Sequence, residues 1–157
     1  MAAAKQVPLY YIAVIRIMVG YHFAQVAWGK LNADFYTGKR LLEQLSNVAG
    51  DPIALHRVFI QEIVAPNAVF FSYLVAWGEF LIGLSLIAGC LTRVSAAFAW
   101  FHNLNVYLAI GIPNGGAQLS INRLYLVIHI VFILTAAGRA WGLDGLLKSR
   151  FPKARWL

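Results

Sequence analysis

The stretch from Val7 to Leu31, VPLYYIAVIRIMVGYHFAQVAWGKL, decides the fold of this chain. A helix that crosses the hydrocarbon core of a bilayer, about 30 Å thick, needs about 20 mainly apolar residues, and this run supplies them. Arg16 and His22 nevertheless lie inside it, and it ends on Lys30 and Leu31. A charged side chain at mid-membrane costs about 3 kcal/mol or more, so Arg16 needs a partner from another segment or a water-filled cavity.

The whole chain has the composition of an integral membrane protein. Of its 157 residues, 61% are hydrophobic and 12% are charged, whereas soluble domains are about half apolar and about a quarter charged. The length fits one domain over residues 1–157. The net charge of +7 indicates membrane lipids as partners and no nucleic acid. The single cysteine, Cys90, excludes an internal disulfide, a CxxC redox pair and a cysteine-held cluster.

The hydropathy pattern predicts four spans of this length, at residues 8–31, 67–89, 93–112 and 121–141. Each run is continuously apolar, which favours helices over the alternating strands of a membrane barrel. The expected fold class is therefore all-α, an integral membrane four-helix bundle. Gly89 is predicted to end the second span and Ser120 to cap the fourth.

Residues 32–66 form the one long loop between the first and second spans. Apolar residues recur at helical spacing around Leu41 and again around Leu55, which predicts two short amphipathic helices that lie on the membrane surface or cap the bundle. Four spans place both termini on one side, and the basic tail, 142–157, favours the cytoplasm for that side. The expected location is a bacterial or archaeal cytoplasmic membrane, with the loop outside.

One ionisable side chain of each predicted span lies near mid-membrane. Counted from the cytoplasmic ends, Arg16, Glu79, His102 and His129 fall within about 6 Å of one another in height, at a rise of 1.5 Å per residue. Such groups should turn inward and pair. Arg16 and Glu79 are the expected pair, because a guanidinium matches a carboxylate in two-pronged geometry. Lys30 falls on the Arg16 face of its helix, at the outer boundary.

Several interpretations of this polar layer stay open. In the first, the layer only holds the helices in register and takes no part in a reaction. In the second, it forms a pocket for quinone or another small ligand, and in the third it conducts protons or ions. The pocket interpretation gives the catalytic candidates Arg16, Glu79, His102 and His129. Its cofactor-binding candidates are Arg16, His22, Trp77, His102 and Asn105. Aromatic side chains that could form its walls are Trp28, Trp77, Trp100, Phe101 and Tyr107. A haem between two single histidines is not expected, and no metal-binding pattern is present.

Three motifs resemble the DoxX/DoxD family. The first runs from Arg16 to Phe23 (RIMVGYHF) and is followed by Trp28–Leu31 (WGKL). The second is Glu79–Gly89 (EFLIGLSLIAG), which continues into Leu91–Arg93. The third, Gly138–Asp144 (GRAWGLD), is similar to the closing motif of the DoxD branch. Together the motifs cover all four predicted spans in the right order.

The resemblance implies a small four-helix membrane protein. For the DoxD branch it implies the membrane subunit of a thiosulfate:quinone oxidoreductase, which passes electrons from thiosulfate to quinone, yields tetrathionate and works with a second subunit, DoxA. The 157 residues leave no room for a DoxA-like domain, so a separate partner subunit is expected. The alternative is a non-catalytic accessory subunit of a larger respiratory or photosynthetic membrane complex. A small transporter is a weaker alternative, since no internal repeat supports alternating access.

Overall fold

The computed structural model describes residues 8–31, 34–154 and 156. Its α-helices are α1 (Leu9–Leu31), α2 (Lys39–Gln44), α3 (Ala54–Phe59), α4 (Ala68–Ala88), α5 (Thr92–Val106), α6 (Ile112–Asn114), α7 (Gly116–Thr135) and α8 (Leu143–Arg150). Tighter 3-10 turns occupy Asp34–Thr37, Val48–Gly50 and Ala137–Arg139, and wider π turns occupy Ile60–Val64 and Tyr107–Gly111. This described part of the chain contains no β-strand, which confirms the all-α class.

Three helices, α1, α4 and α7, are long and apolar enough to cross a membrane. Large apolar side chains on their outer surfaces, such as Met18, Phe70 and Leu134, are exposed, as in a protein whose solvent is lipid rather than water. The chain is therefore a membrane protein. The region of the predicted third span forms α5, which has only 15 residues and is continued by the π turn Tyr107–Gly111 and by α6; it is not among the helices long and apolar enough to cross a membrane.

Each π turn ends two residues before a proline, Pro66 or Pro113. Proline has no N–H with which to continue the α-helical hydrogen bonds. The helix that follows Pro66 begins at Ala68, and Gly89 ends it in the left-handed conformation with φ 62°. The predicted end of the second span at Gly89 is confirmed.

The first and second spans pack closely because each has a glycine at their crossing. A β-carbon on Gly20 would lie 2.8 Å from the main-chain nitrogen of Ile87, and one on Gly83 would lie 2.6 Å from that of Ala24. Small residues allow membrane helices to bring their backbones into contact. Since residue numbers fall along α4 as they rise along α1, the two helices are antiparallel.

The loop between α1 and α4 uses its two helices differently. The side chains of Leu41 and Leu45 are buried in a core with Phe35 and Val64, so α2 caps the bundle. No residue of α3 is buried, and Leu55 on this helix is 80% exposed. The capping interpretation thus holds for α2, and α3 turns its apolar side chains outward.

The fourth span differs from its predicted bounds of 121–141. The helix α7 starts after Gly115, at Gly116, and ends at Thr135, where Ala136 adopts the left-handed conformation. The Ser120 cap is therefore wrong: this serine lies inside the helix, and its hydroxyl donates to the carbonyl of Gly116 at 3.2 Å. Because the helix ends early, residues 137–144 are free to fold across the end of the bundle.

Candidate functional site

Glu79 is the centre of a polar cluster inside the helical bundle. Its side chain is 8% exposed, and both carboxylate oxygens accept hydrogen bonds from Nζ of Lys30 at 2.6 Å. The Nε2 atom of His102 lies 2.9 Å from Oε1 of the same carboxylate. Phe35 covers the ammonium group from the loop side, with its ring centroid 5.2 Å from Nζ. Lys30, Glu79 and His102, named here the Glu79 cluster, therefore join α1, α4 and α5.

The predicted ion pair between Arg16 and Glu79 is wrong, and the register of the two antiparallel helices explains why. At their crossing Gly20 lies against Ile87 and Gly83 against Ala24, so Arg16 is level with the end of α4 and Glu79 with the last turns of α1, about 15 Å away along the axis. Helical side chains also lean toward the N-terminus of their own helix, which takes these two farther apart. Lys30 lies about 21 Å farther along α1, on the same face, and leans back toward the carboxylate.

Arg16 lies instead at the end of the bundle where α4 finishes. It is completely buried, and its Nη2 atom donates to the main-chain oxygen of Trp141 at 2.9 Å. A β-carbon on Gly89 or Gly142 would collide with its Nη1 atom. The guanidinium is thus enclosed by two glycines whose missing side chains leave it room.

Asp144 completes this end of the molecule. Its carboxylate accepts the N–H of Leu91 at 2.7 Å and that of Thr92 at 2.9 Å, so it caps the start of α5 from a distant part of the chain. Its own N–H donates to the carbonyl of Gly89 at 2.8 Å. Each of the three motifs that carry the family resemblance therefore contributes residues to this end of the bundle, which they close together.

His129, on α7, makes no hydrogen bond to either polar group in the part of the chain that the structure describes. Its side chain is fully buried among the rings of Phe23, Tyr125 and Phe132, with centroids 5.6 to 6.2 Å away. Neither ring nitrogen has a hydrogen-bond partner within the described residues. His22 contacts Tyr125, with ring centroids 5.6 Å apart. The predicted layer is thus divided among separate places in the bundle.

Two other predicted binding residues also lie away from the Glu79 cluster. The oxygen of the Asn105 side chain lies 3.0 Å from Nε2 of His56, in the loop. Trp77 is half exposed on the outer surface of α4 and packs edge-on against Phe80. Of the predicted aromatic walls, Trp28 and Phe101 are likewise exposed. These aromatic residues face the surroundings of the bundle and do not enclose its polar groups.

Sequence reasoning missed four residues of these sites: Lys30, Asp144, His56, and Asp51, whose carboxyl group faces Nδ1 of His56. Lys30 carried a usable signal, because it shares the Arg16 face of its helix and lies at the height that the Glu79 side chain reaches. The sequence signal for Asp51 and His56 was weaker: they are a carboxylate and an imidazole five residues apart in a loop.

Two grooves lie elsewhere on the surface. One of about 520 Å³ is lined at the loop end by Thr37, Leu42 and residues 65–70. Another of about 450 Å³ runs along α5 and is lined by Arg93, Val94, Ala97, Phe98 and Phe101. Neither groove includes a residue of the Glu79 cluster.

Residues 11–156 match the family described as the TQO small subunit DoxD. The chain belongs to the DoxD family. No curated protein and no solved structure matches it. The DoxD match includes the Glu79 cluster, the Arg16 end and the short helix α8, so both polar sites lie within the matched region.

Proposed function

We propose that this DoxD-family chain is the membrane subunit of a quinone-linked redox complex, in which a separate partner subunit passes electrons from thiosulfate. The description of the family as a TQO small subunit supports the reaction. The observation that carries the site is the buried carboxylate of Glu79 held by Lys30 and His102. Ionisable groups inside membrane spans are rare and generally mark functional sites.

The chemistry of the Glu79 cluster suits a quinone. Reduction of a quinone to a quinol takes up two electrons and two protons at its two carbonyl oxygens. The N–H groups of Lys30 and His102 are donors for a carbonyl oxygen, and all three side chains can carry a proton. The side chains of Lys30 and His102 are 17% and 20% exposed, more than that of Glu79. They are thus the edge of the cluster that a lipid-soluble ligand reaches first.

The same proposal makes α5, together with its π turn, a transmembrane span in addition to α1, α4 and α7. In that arrangement the Arg16 end and the basic tail face the cytoplasm, and the loop of residues 34–66 faces outward. The alternation of α1, α4, α5 and α7 through the bilayer supports this orientation, together with the excess of Lys and Arg in the tail.

Thiosulfate-dependent reduction of a short-chain quinone tests the proposed function. The assay uses membranes that contain the full chain together with a DoxA-like partner subunit. The Glu79→Gln variant removes the proton-carrying carboxylate at nearly constant volume and is expected to lower the rate by about 100-fold, a usual loss for a general acid or base. The Glu62→Gln variant is the matched control, because Glu62 is exposed in the loop, and it should retain the rate.

Two results would count against this role. A Glu79→Gln variant that folds, extracts in normal amounts and keeps its rate would show that the cluster takes no part in turnover. The second result would come from gentle detergent extraction followed by mass spectrometry. If the chain is found only within a larger respiratory or photosynthetic complex that has no thiosulfate-dependent activity, it is an accessory subunit. The hydrogen bonds among Lys30, Glu79 and His102 already pair these side chains with one another, which favours the accessory-subunit alternative.

A further inference from the structure

His56 ties the outer loop to α5 through both of its ring nitrogens. Its Nδ1 atom faces Oδ2 of Asp51, and its Nε2 atom lies 3.0 Å from Oδ1 of Asn105. Asp51 is 1% exposed, and the His56 side chain is 13% exposed. Asn105 lies one helical turn after His102, so the contact joins the loop to the part of α5 that follows the Glu79 cluster.

The orientation of the Asn105 amide follows from its other partner. Its Nδ2 atom donates to the main-chain oxygen of Phe101 at 2.7 Å. Reversing the amide would place its oxygen against that carbonyl oxygen, where no hydrogen bond can form. The side-chain oxygen is therefore the atom that faces His56, and it is an acceptor.

Both ring nitrogens of His56 consequently face oxygen acceptors. A neutral imidazole has one N–H and satisfies only one of them, whereas the imidazolium has two. We propose that His56 is a proton-binding site, and that its protonated form latches the loop onto α5 by bridging Asp51 and Asn105. This His56 latch stands on the hydrogen-bond geometry and does not depend on the proposed redox function.

Asp51 is the acidic side chain that His56 contacts. The other oxygen of this carboxyl group accepts the N–H of Ile53 at 2.8 Å. Arg57, the neighbouring cation, directs its guanidinium to the main-chain oxygen of Asp51 and not to the carboxylate. From α5 the contacting group is the neutral amide of Asn105. Among the described contacts, His56 is thus the side chain that meets the buried Asp51 carboxyl group.

The loop has a second attachment that does not titrate. Nδ2 of Asn47 donates to the side-chain oxygen of Asn114 at 2.6 Å, and Gly50 packs against Pro113. Loss of the His56 proton removes one of the two latch hydrogen bonds and leaves residues up to Gly50 in place. The segment from Asp51 to Phe59 is therefore the part that opens. The direction of the pH dependence follows: the loop is closed at low pH and is released as the pH rises.

Distance measurement between two spin labels on the full chain in lipid nanodiscs tests the latch. One label is placed at Leu55→Cys on α3 and the other at Ala117→Cys on α7, both exposed positions, in a Cys90→Ser background. From about pH 5 to about pH 9, the range that brackets histidine titration, the narrow distance distribution should gain a second, displaced component. The His56→Gln variant should show the same distribution at every pH. His22→Gln, the matched control, should keep the pH response.

A distance distribution that stays constant with pH in the otherwise unchanged chain would overturn the proposal, as would a pH response that survives in His56→Gln. A second variant keeps the test decisive if His56→Gln does not fold. Asn105→Asp places a carboxylate against Nε2, which stabilises the imidazolium. The opening transition should then move to higher pH, and an unmoved transition would refute the latch.

Discussion

At the scale of single residues, the register of α1 against α4 decides which charges meet inside this bundle. Gly20 lies against Ile87 and Gly83 against Ala24, so Glu79 is level with the last turns of α1 and far from Arg16. Lys30, near the end of α1, leans back toward the N-terminus of its helix and reaches the carboxylate, 2.6 Å away.

The Lys30→Met variant should lower the free energy of unfolding by about 3 kcal/mol, because it leaves the buried Glu79 carboxylate without its cation. The double variant Lys30→Met/Glu79→Met should recover most of this loss, since an apolar pair replaces a buried ion pair at little cost. Lys39→Met, at an exposed position, is the control and should leave stability nearly unchanged. Denaturant unfolding in detergent measures all three, and a double variant no more stable than the single one would contradict the expectation.

At the scale of the helices, the contact between α1 and α4 depends on glycines that face a neighbouring backbone. Gly20 and Gly83 occupy the crossing, whereas a β-carbon on Gly78 of the same helix would meet nothing within 4 Å. The difference between Gly83 and Gly78 is therefore one of position, since both are helical glycines in α4.

Gly83→Ala should destabilise the protein by about 1–3 kcal/mol, because the added methyl group forces two packed backbones apart. Gly78→Ala should be neutral or stabilising by up to about 1 kcal/mol, since alanine in a helix loses less conformational entropy on folding than glycine. Thermal unfolding in the same detergent compares the two variants. Equal losses of stability in the two variants would show that the close approach of α1 and α4 at Gly83 does not limit the stability of the bundle.

At the scale of the whole molecule, the bundle has two chemically different ends. One end is closed by the Arg16 guanidinium, the Gly89 turn and the Asp144 carboxylate. The other is covered by a loop whose helix α2 is packed into a core and whose helix α3 is not. The two ends thus differ in construction: one is closed by buried polar contacts, and the other is covered by a partly packed loop.

A membrane-impermeant maleimide applied to intact cells should label a Leu55→Cys variant and leave a Lys153→Cys variant unlabelled until the cells are broken. Both variants carry Cys90→Ser, so each has one thiol. The expected orientation follows from the basic tail, which the positive-inside tendency retains in the cytoplasm. Labelling of Lys153→Cys alone in intact cells would reverse the proposed topology.

The sequence by itself determined the all-helical membrane class, the limits of α1 and α4, and the presence of helices in the outer loop. These features depend on local properties: the length of an apolar run, its periodicity and a glycine at the end of a helix. The tertiary structure alone decided that Glu79 binds Lys30 and His102, that Arg16 binds the carbonyl of Trp141, and that Asp51 and His56 meet Asn105. Position within one apolar run is countable from sequence, but the register of one helix against the next, its rotation about its axis and the lean of each side chain are fixed only by packing against neighbours.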